Sequence, residues 1–423
     1  MRTSAFVYPW DVVGDPEAAE RIAALGVQQV TLASAYHSTR ALTPRHPRHR
    51  IVTAEHSAVL YPPDEQRWEG RELRPYPAGS WARGGVGSGF GSGDRGGSGF
   101  GAGVGAGDFD RDGGGDAFGT AARALAAAGL DVHTWVVLAH NSRLGAEHPA
   151  TSVVNAYGDR YPWAPCIAQP AVRTYLVDLA AEAAVRPGAG GTELESLGWY
   201  GLAHLHAHDK IAGVPLGDAA QYLMSLCFCA HCRDGYAGLG AEPADVAAAV
   251  RRALAPVFEG DAPGDAAGLP AIERLLGAEL TALTLTWRTQ TAGSLQERAV
   301  AAVRAAAAPG FQVLMHADPA PYRCGANAGV EPARVLAHAD GLVLPCAGGP
   351  AAREAMLTPL APHRREGTVL AANLTVVSGM GGSPGTLAED AAHAAALGAT
   401  ELRLYHAGLA SDADLRAVRS ALA

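Results

Sequence analysis

The sequence predicts a closed (β/α)8 barrel, on three observations. Eight short apolar runs of strand length recur along the chain, and most lead into helical periodicity. Strand–helix–strand spacing is already present at the N-terminus, and parallel neighbours need such crossovers. No obvious linker interrupts the series, so 1–423 is expected to form a single barrel domain. A doubly wound open sheet is the competing architecture, but no Gly-x-Gly-x-x-Gly opens its first helix.

The first strand pattern covers residues 4–10 and runs into Asp11; a helix over 17–25 stops at Gly26, and 28–35 is the second strand. A polar loop over 36–76 carries a basic knot of Arg40, Arg45, His46, Arg48, His49 and Arg50. Residues 79–116, with glycine at nearly every second position, have too little to bury to offset their ordering entropy. A disordered insertion is expected there. A helix over 117–128 leads to the third strand, 132–139, then to a long loop containing Cys166 and a helix over 171–184. The fourth strand is read as 194–199, and two alanine-rich helices follow the cysteine cluster, at 243–258 and 270–308. Strands at 311–316, 341–345, 368–376 and 401–405, with a closing helix at 411–422, complete the set.

A net charge of −9 argues against a nucleic-acid partner held through phosphates. The N-terminus lacks the pattern of a secretory signal, and no apolar stretch approaches the ~18 residues that a membrane span needs. Six cysteines are too few for a disulfide scaffold in a chain of 423 residues. A cytoplasmic protein is therefore expected, acting on a small-molecule or oligosaccharide substrate, with no membrane partner and with a homo-oligomer left open.

Barrel active sites are built at the C-terminal ends of the strands. Those ends hold Trp10, Asp11, Tyr36, His37, His140, Asn141, Glu195, His316, Asp318, Cys346, Asn373, Tyr405 and His406. Glu193 and Glu195 share one side of a strand, and a buried carboxylate needs a partner or a task. Paired carboxylates suit glycoside cleavage, with one as acid and the other as base or nucleophile. Glu195 is the expected acid, and Asp318 its expected partner, with Asp11 as the alternative. Trp10, Tyr36, Trp199 and Tyr405 are expected to stack on sugar rings. His37, His140, Asn141, His316, Asn373 and His406 add polar contacts to substrate.

Cys227, Cys229 and Cys232 supply three thiolates within one turn. Cys166 or His231 would complete the tetrahedral shell that zinc prefers, and a closed four-cysteine site is structural. The run His204, His206, His208 and Asp209 either binds a catalytic metal or hydrogen-bonds sugar.

A cysteine after the third strand, a glutamate ending the fourth and Cys-x-Cys-x-x-Cys in the next loop together resemble glycoside hydrolase family 42 β-galactosidases and related glycosidase-like barrels. The closing Leu-Tyr-His-Ala-Gly-Leu adds to the likeness. The resemblance implies that Glu195 is the acid/base and that Cys166, Cys227, Cys229 and Cys232 hold zinc. That family's nucleophile is a glutamate ending the seventh strand, where VLAANLTVVSGM has no carboxylate. The expected function is thus glycoside cleavage. The alternatives are a metal-dependent hydrolase or lyase using the histidine run, and a barrel that binds carbohydrate without cleaving it.

Overall fold

A computed structural model describes residues 1–78, 115–202, 209–211, 213–260 and 267–423. Eight parallel strands form the barrel: β1 (Arg2–Val7), β2 (Gln29–Tyr36), β3 (Asp131–Val137), β4 (Gly191–Glu195), β5 (Gln312–Asp318), β6 (Gly341–Pro345), β7 (Val369–Thr375) and β8 (Glu401–Tyr405). Each pairs with its sequence neighbours, and β1 pairs with both β2 and β8, so the sheet closes on itself. A closed sheet has no edge, and every inward residue faces the barrel axis.

The helices lie outside this sheet: α1 (Ala18–Ala23), α2 (Ala117–Ala127), α3 (Pro170–Ala184), α4 (Ala278–Ala306), α5 (Pro332–Val335), α6 (Pro350–Leu357), α7 (Leu387–Ala396) and α8 (Asp412–Leu422). Their ends follow local chemistry. The Asp116 carboxylate accepts the Gly119 N–H at the start of α2, and Ser411 does the same for Asp414 in a capping box that opens α8. Asp116 thus belongs to a helix cap, while 79–114 of the expected insertion lie outside the described residues.

The fourth strand differs from the sequence reading. It begins at Gly191, inside a glycine-rich run that reads as loop, and ends at Glu195 rather than at Trp199. A Cβ on Gly191 would sit 2.6 Å from the His133 ring and 2.8 Å from the Gln312 carbonyl, so the barrel requires glycine here. The chain leaves the sheet at Ser196, whose φ of 57° is unfavourable for a residue with a side chain. The first strand likewise ends early, at Val7, and Trp10 and Asp11 lie on a 3-10 turn, Pro9–Asp11. The helix read over 270–308 is divided at Gly277, which adopts φ 87° between Gly268–Leu276 and α4.

Two ribbons lay hidden in polar loops. Thr39–Leu42 pairs with Ile51–Ala54, and Ser152–Val154 pairs with Arg160–Pro165. Arg45, between the strands of the first ribbon, donates to the carbonyls of Ala407, Gly408 and Ala410 after β8. The basic knot therefore fastens one loop to another. The connection between β4 and β5 adds helices Gly217–Met224, Ala230–Gly238, Pro243–Phe258 and Gly268–Leu276 around their own apolar cluster, centred on Tyr222, Leu223, Val250 and Leu254. Among the described residues, no helix is long and apolar enough to cross a membrane.

Candidate active site

Glu195 ends β4 at the C-terminal mouth of the barrel and is only 8% exposed. The Trp135 indole on β3 donates to its Oε2 at 2.7 Å, and His316 Nδ1 on β5 lies 4.0 Å from the same oxygen. Burial raises its pKa above the ordinary carboxylate value, although His316 and the Trp135 N–H oppose the shift. A carboxyl so placed holds its proton more firmly than a solvated one. Its backbone is fixed as well, since the Glu195 carbonyl accepts the Leu138 N–H at 3.0 Å.

Glu193, one inward position deeper, has a structural task that its spacing from Glu195 did not reveal. It is fully buried and accepts Arg403 Nε from β8 at 2.5 Å, Thr31 Oγ1 from β2 at 3.0 Å and His316 Nε2 from β5 at 3.2 Å. Arg403, equally buried, also donates to Glu401 at 2.8 Å. Burial pushes the Glu193 carboxyl up, but Arg403 and His316 outweigh it and hold the pKa down at about 2. Beside it, burial lowers His133 to about 4.

Both groups bind protons more readily unfolded than folded, so stability falls on acidification. The His133 contribution is lost from about pH 6.5 downward, and that of Glu193 from about pH 4.3 toward pH 2. Urea midpoints measured across this range should decline with pH. Arg403→Met should cost about 3–5 kcal/mol at neutral pH by leaving Glu193 buried without its cation. Urea denaturation followed by circular dichroism measures this directly, and a loss below 1 kcal/mol would contradict the pairing.

The residues expected at the mouth divide into several groups. Tyr36 and Tyr405 share one aromatic cluster with Tyr8 and Trp135: the Tyr8 hydroxyl donates to Tyr36 at 2.9 Å, and Glu195 acts electrostatically on Tyr36, Tyr200 and Tyr405. Trp10 and His406 both stack on Tyr8, at 4.4 and 4.2 Å between ring centroids. Tyr8 is thus a central member of the aromatic floor that the sequence reading passed over, because it lies just before Pro9 rather than among the polar strand ends. His37 tilts against His140, which stacks on Tyr200 at 4.1 Å.

Several other residues have structural duties. Asn141 accepts the Leu144 N–H as a helix cap. Trp199 is packed in the main core with its indole N–H on the Arg288 carbonyl. Asn373 points its buried Oδ1 into the barrel near the end of β7, without a hydrogen-bond partner among the described residues.

Of the two carboxylates considered as partners, Asp318 ends β5 two residues beyond His316. Its Oδ1 accepts the Ala320 N–H, Arg323 lies 3.6 Å from Oδ2, and burial raises its pKa. Asp11 accepts the Tyr8 N–H at 2.8 Å and lines a small cavity with Arg45, His46 and Gly408, on the α1–α8 side of the wall. A Cβ on Gly408 would lie 1.9 Å from its Oδ2. Asp11 therefore braces the turn after β1 and makes no contact with Glu195. His204, His206 and His208 lie outside the described residues.

Cys166, from the ribbon loop before α3, meets Cys227, Cys229 and Cys232 after β4. Its sulfur lies 3.6, 3.5 and 3.6 Å from theirs, and all four sulfurs fall within 4.8 Å of one another. Four thiolates at about 2.3 Å from a central ion would be separated by nearly these distances, so the donor set fits tetrahedral zinc. Three of the cysteines are buried, Cys229 is half-buried, and none is in a disulfide. His231, the alternative fourth ligand, is exposed.

No protein-family model and no curated protein matches the chain. Solved structures do match it in three dimensions. The glycoside hydrolase domain of PgaB (BpsB) from Bordetella bronchiseptica superposes with a TM-score of 0.56 at 13% identity, covering 100% of this chain and 99% of that one. The likeness is one of fold. α-L-Fucosidase isoenzyme 2 from Paenibacillus thiaminolyticus gives 0.52 at 12% identity, and the β-galactosidase from the psychrophilic Marinomonas ef1 gives 0.52 at 10%. Each covers all of this chain, which spans 49% and 59% of their respective lengths. These structural neighbours are glycoside hydrolases, and their shared architecture is the closed eight-stranded barrel.

Proposed function

We propose that this barrel cleaves a glycosidic bond, with Glu195 as the general acid/base. The observation that carries the reading is the setting of Glu195: a buried carboxyl at the end of β4, its pKa raised by burial, that accepts the Trp135 indole N–H beside the ring of Tyr36. Such a group can deliver a proton to a leaving oxygen, and aromatic rings suit the apolar faces of a sugar. That the structural neighbours are glycoside hydrolases supports the same class of substrate.

Asp318, on the adjacent strand, is the carboxylate we assign as base or nucleophile. Asp318→Asn should lower kcat by at least about 100-fold with little effect on the thermal midpoint, as expected for loss of a positioned acid–base group. Aryl glycosides of several sugars, assayed with purified protein, provide the test. An Asp318→Asn variant with full turnover sinks the assignment.

A second reading is favoured by one residue. β7 presents Asn373 near its C-terminal end where a nucleophilic carboxylate would stand, which suits a barrel that binds carbohydrate without hydrolysing it. Tight sugar binding by calorimetry, with no turnover over a broad glycoside panel, would decide for that reading.

We further propose that the four cysteines hold a structural zinc. It would join the loop after β3 to the helical excursion after β4, and thiolate ligation suits a reducing compartment.

A further inference from the structure

Between Glu195 and the buried Glu193–Arg403 pair stands the imidazole of His316. We propose that His316 is a positioning residue, held through Nε2 by Glu193 so that Nδ1 faces Glu195 and sets the proton affinity of that carboxyl. The inference rests on the reading of Glu195 as acid/base, and it adds the way in which that acid is tuned.

The geometry begins at the barrel axis. Glu193, ionised between Arg403 and Thr31, can only accept hydrogen bonds, so the 3.2 Å contact fixes a proton on His316 Nε2. With that nitrogen pinned, ring orientation is determined, and Nδ1 is left 4.0 Å from Glu195 Oε2. His316 is 3% exposed and packs at 5.7 Å from the Phe6 ring, which limits its freedom to turn. Three strands thereby contribute to one alignment: β8 holds Glu193 through Arg403, Glu193 on β4 holds His316, and His316 on β5 faces the mouth.

The electrostatic consequence follows from the groups around Glu195. Burial and the like charge of Glu193 favour its protonated form; the Trp135 N–H, and His316 when Nδ1 carries a proton in addition to the one on Nε2, favour its ionised form. Tyr36, Tyr200 and Tyr405 complete the titratable neighbours from β2, the loop after β4 and β8. Around Glu193 itself stand Arg403, His316 and His133. Among the described residues, His316 is thus the imidazole set against the burial of Glu195.

The test is a carboxyl titration that needs no substrate. Protein labelled with 13C at the glutamate side-chain carboxyl is titrated by NMR, and the Glu195 signal is assigned by its loss in Glu195→Gln. His316→Gln keeps an N–H donor for Glu193 but removes Nδ1. It should raise the Glu195 midpoint by about one unit or more, a tenfold gain in proton affinity, the size of effect that a facing charge at this range produces. An unchanged midpoint in folded His316→Gln overturns the proposal.

Should that variant fail to fold, the 15N signals of His316 in the wild-type protein decide. The Nδ1 signal should move as Glu195 changes charge and lose that movement in Glu195→Gln, whereas an Nδ1 signal blind to Glu195 overturns the coupling. Intact coupling without glycoside turnover would count against the proposed reaction and leave the role of His316 standing.

Discussion

Glu195→Gln is expected to abolish glycoside cleavage while leaving the barrel folded. The amide keeps the shape of the side chain and can still accept the Trp135 N–H, but it has no proton to deliver to the leaving oxygen. Loss of a positioned general acid removes about 10²–10⁴ in rate. The loss should fall on kcat more than on KM, because the aromatic floor formed by Tyr8, Tyr36 and Tyr405 is unchanged. The pH profile offers a second check. Burial raises the Glu195 pKa, so the acid form persists into less acidic solution than for a solvated glutamate, and activity should fall as pH rises through the shifted value. Full activity in Glu195→Gln on any glycoside the wild type cleaves would refute the assignment.

Cys232→Ser is expected to have the largest effect on the fold outside the barrel core. Cys232 is fully buried, on the helix Ala230–Gly238, and its sulfur faces that of Cys166 across two connections. If zinc is bound, its affinity for four thiolates is worth about 10–16 kcal/mol in small zinc domains, and part of it is coupled to folding. The variant should lose one equivalent of zinc per chain by elemental analysis. Its helical excursion around Tyr222 and Leu254 should also unfold at a lower temperature than the barrel. Full zinc content in Cys232→Ser would show that the cluster is not the metal site.

Much of this architecture was legible in the sequence because the barrel writes it locally. Apolar runs, crossover helices and polar strand ends repeat eight times, and Glu195 stands out through its position at one of those ends. The cysteines were legible for a similar reason: three of them fall within one turn, and Cys166 lies in the connection just before. What remained illegible depends on distance. Nothing near Glu193 announces Arg403, 210 residues later, so its burial as half of an ion pair appears only once β8 closes the barrel. Trp199 and Asn141 likewise carry bonds that residue type does not announce, an indole bond to Arg288 for one and a helix cap for the other. The limits of β4 were missed because Gly191 is needed for its lack of a side chain beside His133, a demand that propensity does not express.

The span of the Glu193–Arg403 pair also bears on the order in which this protein can be completed. Until the last strand docks, Glu193 would face the interior with Thr31 and His316 but no permanent cation, at a depth where an unpaired charge is costly. A seven-stranded intermediate is therefore penalised at its centre, and arrival of β8 relieves the whole sheet at once. The ion pair thus favours the closed barrel over a sheet that lacks its last strand, and closure is expected to be cooperative across nearly the full length of the chain.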